Sequence, residues 1–244
     1  MNLDILIFAA HPDDAELGMG GTIAKLVAEG KSVGIIDFTE AELSSNGTVE
    51  SRRIETAAAS KVLGISVREN LKIPDGKVNL KAKVEAKAEQ KVDVVERVIF
   101  LLRKYEPKVV FAPYFNDRHP DHIGASKIVK EAVFFSGLKK IETELDGEKQ
   151  QIHRPDKLYY YMQTYEFTPS FVVDISDHFE TKMKSVRAYE SQFYNPNEKG
   201  ELTFISDPKF IKMLEARARH YGFQIRKEYG EPFFSEEAIE LENI

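Results

Sequence analysis

The sequence predicts a doubly wound α/β fold, with a mainly parallel sheet and helices on both faces, and three observations predict it. Short apolar runs of strand length alternate with stretches whose apolar residues recur at helical spacing. Two of those runs discharge into polar, histidine-bearing segments. Strand–helix repeats of this length close through right-handed crossovers, so both histidine-bearing segments fall on one edge of the sheet. A chain of 244 residues suits one sizeable core, and residues 1–244 read as a single domain.

Taken in order, residues 5–10 (ILIFAA) form the first strand and lead through His11-Pro12-Asp13-Asp14 to Gly18-Met19-Gly20-Gly21, glycines that can open a helix over 18–29 with Gly30 as its stop. Residues 33–39 form the second strand. The Ser-, Asn- and Gly-bearing loop 40–48 enters a helix over 49–63, ended by Gly64. A short strand at 69–73 meets the turn Pro74-Asp75-Gly76, a charged stretch runs up to Lys91, and a helix follows over 92–105. The buried strand 109–113 delivers Asn116-Asp117-Arg118-His119-Pro120-Asp121-His122 before a helix over 123–135. Residues 138–155 read as a surface excursion, and 158–162 and 171–175 as further strands. Helices follow over 177–193, with Ser176 as its cap, and over 208–221, with Asp207 before Pro208. The Tyr159-Tyr160-Tyr161 run reads as core, and Phe233-Phe234 as core or interface.

Composition narrows the function. Acidic residues number 40 and basic residues 34, and the formal charge of −6 argues against non-specific nucleic-acid binding. The chain has no cysteine, which removes disulfides and thiolate chemistry and leaves His, Asp and Glu to hold any metal. No signal-peptide pattern and no apolar run long enough to cross a bilayer is present, so a cytoplasmic location without membrane insertion is expected.

The chemistry converges on His11, Asp14, His119 and His122. A lone histidine is usually structural. Two histidines and a carboxylate beside an open position, however, make the ligand set of a catalytic zinc. His119 and His122, three apart on a helical turn, share one face, so that one ligates while the other reaches the substrate, with Asp121 able to orient either ring. Adjacent side chains point apart, so Asp14 is assigned to the metal and Asp13 to the attacking water. The Gly-rich run invites a dinucleotide reading, but the third glycine of the fingerprint falls at Ile23 and the carboxylates before it repel a pyrophosphate. Close helix-to-strand packing explains the glycines instead. Arg52 and Arg53 open the second helix near the same edge; a guanidinium turned inward suits a substrate carboxylate or a site Asp, and Arg118 is a second candidate.

His11-Pro12-Asp13-Asp14, Arg52 and His119-Pro120-Asp121-His122, in this order from residue 3 to at least residue 194, resemble the LmbE-like (PIG-L type) zinc deacetylases. Residues 39–48, Ala112-Pro113-Tyr114, Asp117-Arg118 and residues 188–193 look like the bacillithiol-pathway branch, which deacetylates N-acetylglucosaminyl malate. The resemblance implies a Rossmann-like fold and Zn2+ on His11, Asp14 and His122. It implies Asp13 as general base and later proton donor, His119 as an imidazolium beside the oxyanion held by Asp121, Arg52 reaching the acid or substrate, and Arg53 as its solvated neighbour. It also implies an N-acetylated amino sugar conjugate as substrate and a homo-oligomer, trimer or hexamer. Two departures stand out: Ala15 separates Asp14 from Glu16, which receives no site role, and Asp117 stands where some members place an oxyanion-assisting tyrosine. Rival readings are another N-acetyl sugar, of chitooligosaccharide or glucosaminyl-inositol type, or a sugar- or nucleotide-binding module without turnover.

Overall fold

The structure, a computed structural model, describes residues 2–85, 91–194 and 200–240. Eleven strands and six α-helices follow one another as β1 (Ile5–Ala9), α1 (Asp14–Ala28), β2 (Val33–Asp37), α2 (Val49–Leu63), β3 (Val67–Asn70), β4 (Lys83–Glu85), β5 (Lys91–Asp93), α3 (Val94–Tyr105), β6 (Val109–Pro113), α4 (Pro120–Ser136), β7 (Glu144–Leu145), β8 (Glu148–Lys149), β9 (Lys157–Tyr161), β10 (Phe171–Asp174), α5 (Phe179–Arg187), α6 (Pro208–Gln224) and β11 (Gly230–Phe234) among the described residues. Seven of the strands form one sheet in the order β10-β11-β9-β6-β1-β2-β3. All neighbours from β3 to β9 pair in parallel, and only β11 runs against the rest.

Alternation along β1 assigns the two faces. Ile5, Ile7 and Ala9 pack with Ala15, Met19 and Ile23 of α1, whereas Leu6, Phe8 and Ala10 pack with Val98, Leu102, Ile128 and Val129 of α3 and α4. The chain leaves β1 toward β2 on one side, and β6 lies on the other side, so the strand order reverses between β1 and β6. That switch point opens a crevice at the carboxyl ends of the strands. Tyr160 and Tyr161 are fully buried, as is Phe233. No helix among the described residues is long and apolar enough to cross a membrane.

Several boundaries depart from the sequence reading. Helix α1 begins at Asp14, so the glycines lie inside it, and Met19 breaks its helical geometry at φ −147°, ψ 23°. A Cβ at Gly18 would stand 2.3 Å from the Tyr161 ring and one at Gly21 2.6 Å from Ile175, so close packing does explain both. The third strand is Val67–Asn70 rather than 69–73, and residues 91–93 pair with β4 before α3 starts. The charged stretch at 86–90 lies outside the described residues. The helix expected over 177–193 is a 3-10 turn at Ser176–His178 and then α5, which stops at Arg187. Side chains explain the early stop: the Tyr189 hydroxyl donates to Glu16 Oε1 at 3.0 Å, Ser191 to Glu55 and Gln192 to the Asn46 carbonyl, contacts that a continuing helix would swing apart. Ser176 caps nothing; its N–H and hydroxyl donate to Asp174 Oδ1. Asp207 does cap α6, accepting from Lys209 N at 2.7 Å. Strand β11 and the antiparallel pairs β4–β5 and β7–β8 go beyond the sequence reading, because strands of two or three residues and a strand carrying Glu231 and Pro232 lack the apolar alternation that signals an element.

Candidate active site

Two corners build the site. After β1, the chain passes His11 and turns at Asp13, whose φ of 117° is a left-handed conformation that a non-glycine residue holds only where its surroundings impose it. After β6, His119 sits before α4 and Pro120 opens it, with His122 inside its first turn. The two rings stack at 5.0 Å between centroids, as the three-residue spacing predicts. The His11 ring meets them at 4.6 Å from His119 and 5.5 Å from His122.

Asp14 joins the two corners. Its Oδ1 lies 3.2 Å from His122 Nε2 and its Oδ2 3.4 Å from His11 Nδ1. Bonds of about 2.0–2.2 Å to a tetrahedral zinc set neighbouring donor atoms about 3.3–3.6 Å apart, and these two contacts, each through a different oxygen of Asp14, fall close to that range. The far nitrogens are also occupied. His11 Nε2 faces Asp75 Oδ1 at 3.1 Å and Asp121 Oδ2 at 3.4 Å, and His122 Nδ1 faces Asp117 Oδ1 at 2.8 Å. A carboxylate behind each imidazole fixes the tautomer and raises the basicity of the nitrogen left for a metal. His11, His119 and His122 also bring ring nitrogens within 4.8 Å of one another, as do the donor atoms of His11, Asp75 and Asp121. The second of these groups is a hydrogen-bonded support: Asp121 accepts from Gly76 N and Val78 N, and Asp75 from Leu43 N.

Charge is concentrated here, and the ionisation of each group follows from its neighbours. Burial alone would push the His11 ring down, but hydrogen bonds to Asp121, Asp14 and Asp75 outweigh it and hold the imidazole well above its ordinary value. His122 is likewise raised to about 9 against the pull of burial, by Asp14 and Asp117. Asp14 is held well below the usual carboxylate range by the two histidines, despite burial. With carboxylates crowded around them, His11 and His122 take up protons to supply positive charge, the same demand that a divalent cation satisfies.

Asp13 behaves differently. Burial pushes its carboxyl up, helped by Asp14 and opposed by Arg52, to about 7. Arg52 is buried and donates from Nη1 to Asp13 Oδ2 at 3.0 Å and to the Pro12 carbonyl at 2.6 Å, and from Nη2 to Ser44 Oγ at 3.0 Å. It serves the acid and leaves no terminal nitrogen idle for a substrate carboxylate. Arg53 turns outward to Glu40 and Glu50. Arg118 is exposed at the cavity, its guanidinium 4.4 Å from the centre of the Phe204 ring.

Two implied roles change. The Asp121 carboxylate does not hold His119: it faces His11 and two backbone N–H groups, and only the Asp121 main-chain N–H reaches His119 Nδ1, at 3.2 Å. Accepting there puts the ring proton of His119 on Nε2. Burial and positive charge on His11 and His122 push the His119 ring below its ordinary value, a direction opposite to the imidazolium that the resemblance implies. Asp117, whose position invited comparison with a tyrosine, supports His122 and also accepts from the N–H groups of Thr164 and Tyr165. Asp75 and Asp117 were missed as site residues because each lies in a turn or loop whose reach only the tertiary structure reveals. Glu16 faces away from the site, toward Arg68 and Tyr189.

The site opens into a cavity of about 600 Å³, lined also by Leu43, Phe204, Met213 and Arg217. No tyrosine is among the described residues lining it. A parallel-sheet switch point bearing an imidazole–carboxylate centre beside a raised carboxyl defines a hydrolase of metal-assisted type. Residues 6–133 match the family described as PIG-L: GlcNAc-PI de-N-acetylase, and the chain belongs to this LmbE-like family of deacetylases, which are amidohydrolases. It is 30% identical over 239 residues to a diacetylchitobiose deacetylase of Thermococcus kodakarensis, covering 93% of this chain and 80% of that protein. It is 26% identical to 1D-myo-inositol 2-acetamido-2-deoxy-alpha-D-glucopyranoside deacetylase 2 of Saccharopolyspora erythraea, over 84% of this chain and 89% of that one. A conserved protein of Thermus thermophilus superposes with a TM-score of 0.83 at 37% identity, covering 98% of this chain and 97% of the other.

Proposed function

We propose that the chain is a zinc-dependent deacetylase of an N-acetylglucosamine conjugate with an acidic aglycone, N-acetylglucosaminyl malate of bacillithiol biosynthesis being the substrate of that type. The observation that carries the hydrolytic reading is Asp14, set between His11 and His122 at the spacing of metal ligands with Asp13 beside it. In this reading His11, Asp14 and His122 hold the metal. When bound, zinc supplies Lewis acidity toward the amide carbonyl and a more acidic water.

The chain's own residues do the rest. Asp13, raised to about 7, takes a proton from the attacking water and returns it to the leaving amine, without which the tetrahedral adduct collapses back to the amide. Arg52 holds that carboxylate in line and limits how far burial can raise it. His119 donates its Nε2 proton to the developing oxyanion, as a neutral donor fixed from behind by the Asp121 N–H. Arg118, exposed at the cavity and not engaged by a carboxylate among its described contacts, supplies the cation that an acidic aglycone seeks.

Acetate release measured side by side on N-acetylglucosaminyl malate and N,N'-diacetylchitobiose tests the substrate. The malate conjugate should turn over with at least a tenfold higher kcat/KM, and Arg118→Ala should remove that advantage by raising KM for it alone. Equal or better turnover of the neutral disaccharide, unaltered by Arg118→Ala, defeats the acidic-aglycone assignment. A purified protein that holds no transition metal and releases no acetate defeats the hydrolytic reading itself.

A further inference from the structure

Away from the reacting groups, beside Leu17, a buried ion pair is inserted into helix α1. Lys182 of α5 and Glu231 of β11 are 3% and 2% exposed and meet at 2.5 Å. Their remaining side-chain hydrogen bonds go to α1, and the Arg217 guanidinium, which also donates to the Leu17 carbonyl at 3.5 Å, is close enough to act on both charges. Lys182 Nζ donates to the Leu17 carbonyl at 2.9 Å, while Glu231 accepts from Gly21 N at 3.0 Å, Thr22 N at 2.6 Å and the Thr22 hydroxyl at 2.6 Å. Leu17 O and Gly21 N are four apart, the pair that a regular α-helix would join directly. Between them lies Met19, whose φ of −147° is not helical. The ion pair therefore spans the break: the ammonium caps the carbonyl end of the first turn, and the carboxylate caps the N–H end of the turns beyond it.

The first turn is the one that carries Asp14. Gln163 Nε2 donates to the Asp14 carbonyl at 3.0 Å, and Arg217 Nη1 to the Gln163 carbonyl at 2.5 Å, so this turn is held from outside the helix on the cavity side too. We infer that Lys182 and Glu231 are positioning residues that set the angle between the first turn of α1 and the rest of the helix, and thereby the placement of the Asp14 carboxylate between His11 and His122. Glycine at 20 permits the close approach of Lys182: a Cβ there would lie 3.2 Å from Lys182 Cγ. A buried pair of this kind is weak evidence for stability, but neither charge tolerates the loss of its partner, which ties the two to one geometry. The inference rests on Asp14 as a metal ligand.

The test uses the full chain loaded with cobalt(II), whose visible absorption reports ligand geometry without any turnover, together with zinc affinity by competition against a chromophoric chelator. Glu231→Gln sets an amide N–H against the helix donors, and Glu231→Asp keeps the charge but withdraws the oxygens by one methylene. The milder variant carries the test should the first not fold. In the folded variant, zinc Kd should rise at least tenfold and the cobalt bands shift, with kcat falling more than KM changes, as when support behind a metal ligand is lost. Removing both charges together in K182M/E231Q should recover part of the melting temperature without restoring the cobalt spectrum. A folded Glu231 variant with wild-type cobalt bands and zinc Kd, even if its melting temperature drops, overturns the inference and assigns the pair to stability alone. Failure of the wild-type chain to bind cobalt or zinc is a separate result, which would overturn the metal reading of Asp14.

Discussion

Replacing Asp13 by Asn separates chemistry from structure at this site with little collateral change. Asn is, with Asp, among the few residues that tolerate a positive φ, so the 117° turn should persist. Its amide oxygen still accepts from Arg52 Nη1, now 3.0 Å from Oδ2, and Arg52 keeps the Pro12 carbonyl at 2.6 Å and Ser44 at 3.0 Å. The substitution removes a carboxylate raised to about 7, able to take a proton near neutral pH and return it. A positioned base contributes on the order of 100- to 10,000-fold, or about 3–5 kcal/mol of barrier. Single-turnover acetate release by the zinc-loaded variant should fall by that factor, with metal content and melting temperature close to wild type. The wild-type rate should fall as pH drops below about 7, because protonated Asp13 accepts no further proton. A zinc-replete Asp13→Asn protein that retains its rate within fivefold would refute the assignment of the base.

Metal affinity should depend on pH. His122 is raised to about 9 in the metal-free protein, and a ligating imidazole must be neutral, so binding displaces its proton. Zinc affinity therefore rises by about tenfold per pH unit for each displaced proton, the His122 contribution levelling near pH 9, and buffer-dependent calorimetry counts the protons released. Without metal, the raised His122 pKa contributes stability that is fully present below pH about 6.5 and is lost as pH rises through about 9. The melting temperature of chelator-treated protein should fall over that range. Gly124→Ala tests the packing behind the second corner. Its Cβ would stand 1.9 Å from the Val78 carbonyl, in the backbone stretch whose Gly76 and Val78 N–H groups bind Asp121. A loss of about 1–3 kcal/mol or more in urea unfolding is expected, since backbone cannot yield as a side-chain end can.

The parallel core and the two corners that bear the chemistry are legible in the residues alone. Apolar runs such as Val109–Pro113 have the length and two-sided hydrophobicity of buried strands, and crossover handedness then brings their ends to one edge. Short-range spacing also set the shared face of His119 and His122, because helical periodicity is local. The neighbour that a residue meets across space is not a local property and emerges only when the chain is folded. Asp75 and Asp117, far apart in the chain, become the carboxylates behind His11 and His122. Asp121, read as a partner of His119, instead ties the 76–78 turn to His11. The first helix holds a break at Met19 near the point that sequence rules read as a helix start, and Glu231 and Lys182, more than 160 residues downstream, bond the groups on either side of it. Local propensity says where a helix can end, but a buried charge pair arriving from another element can let it continue.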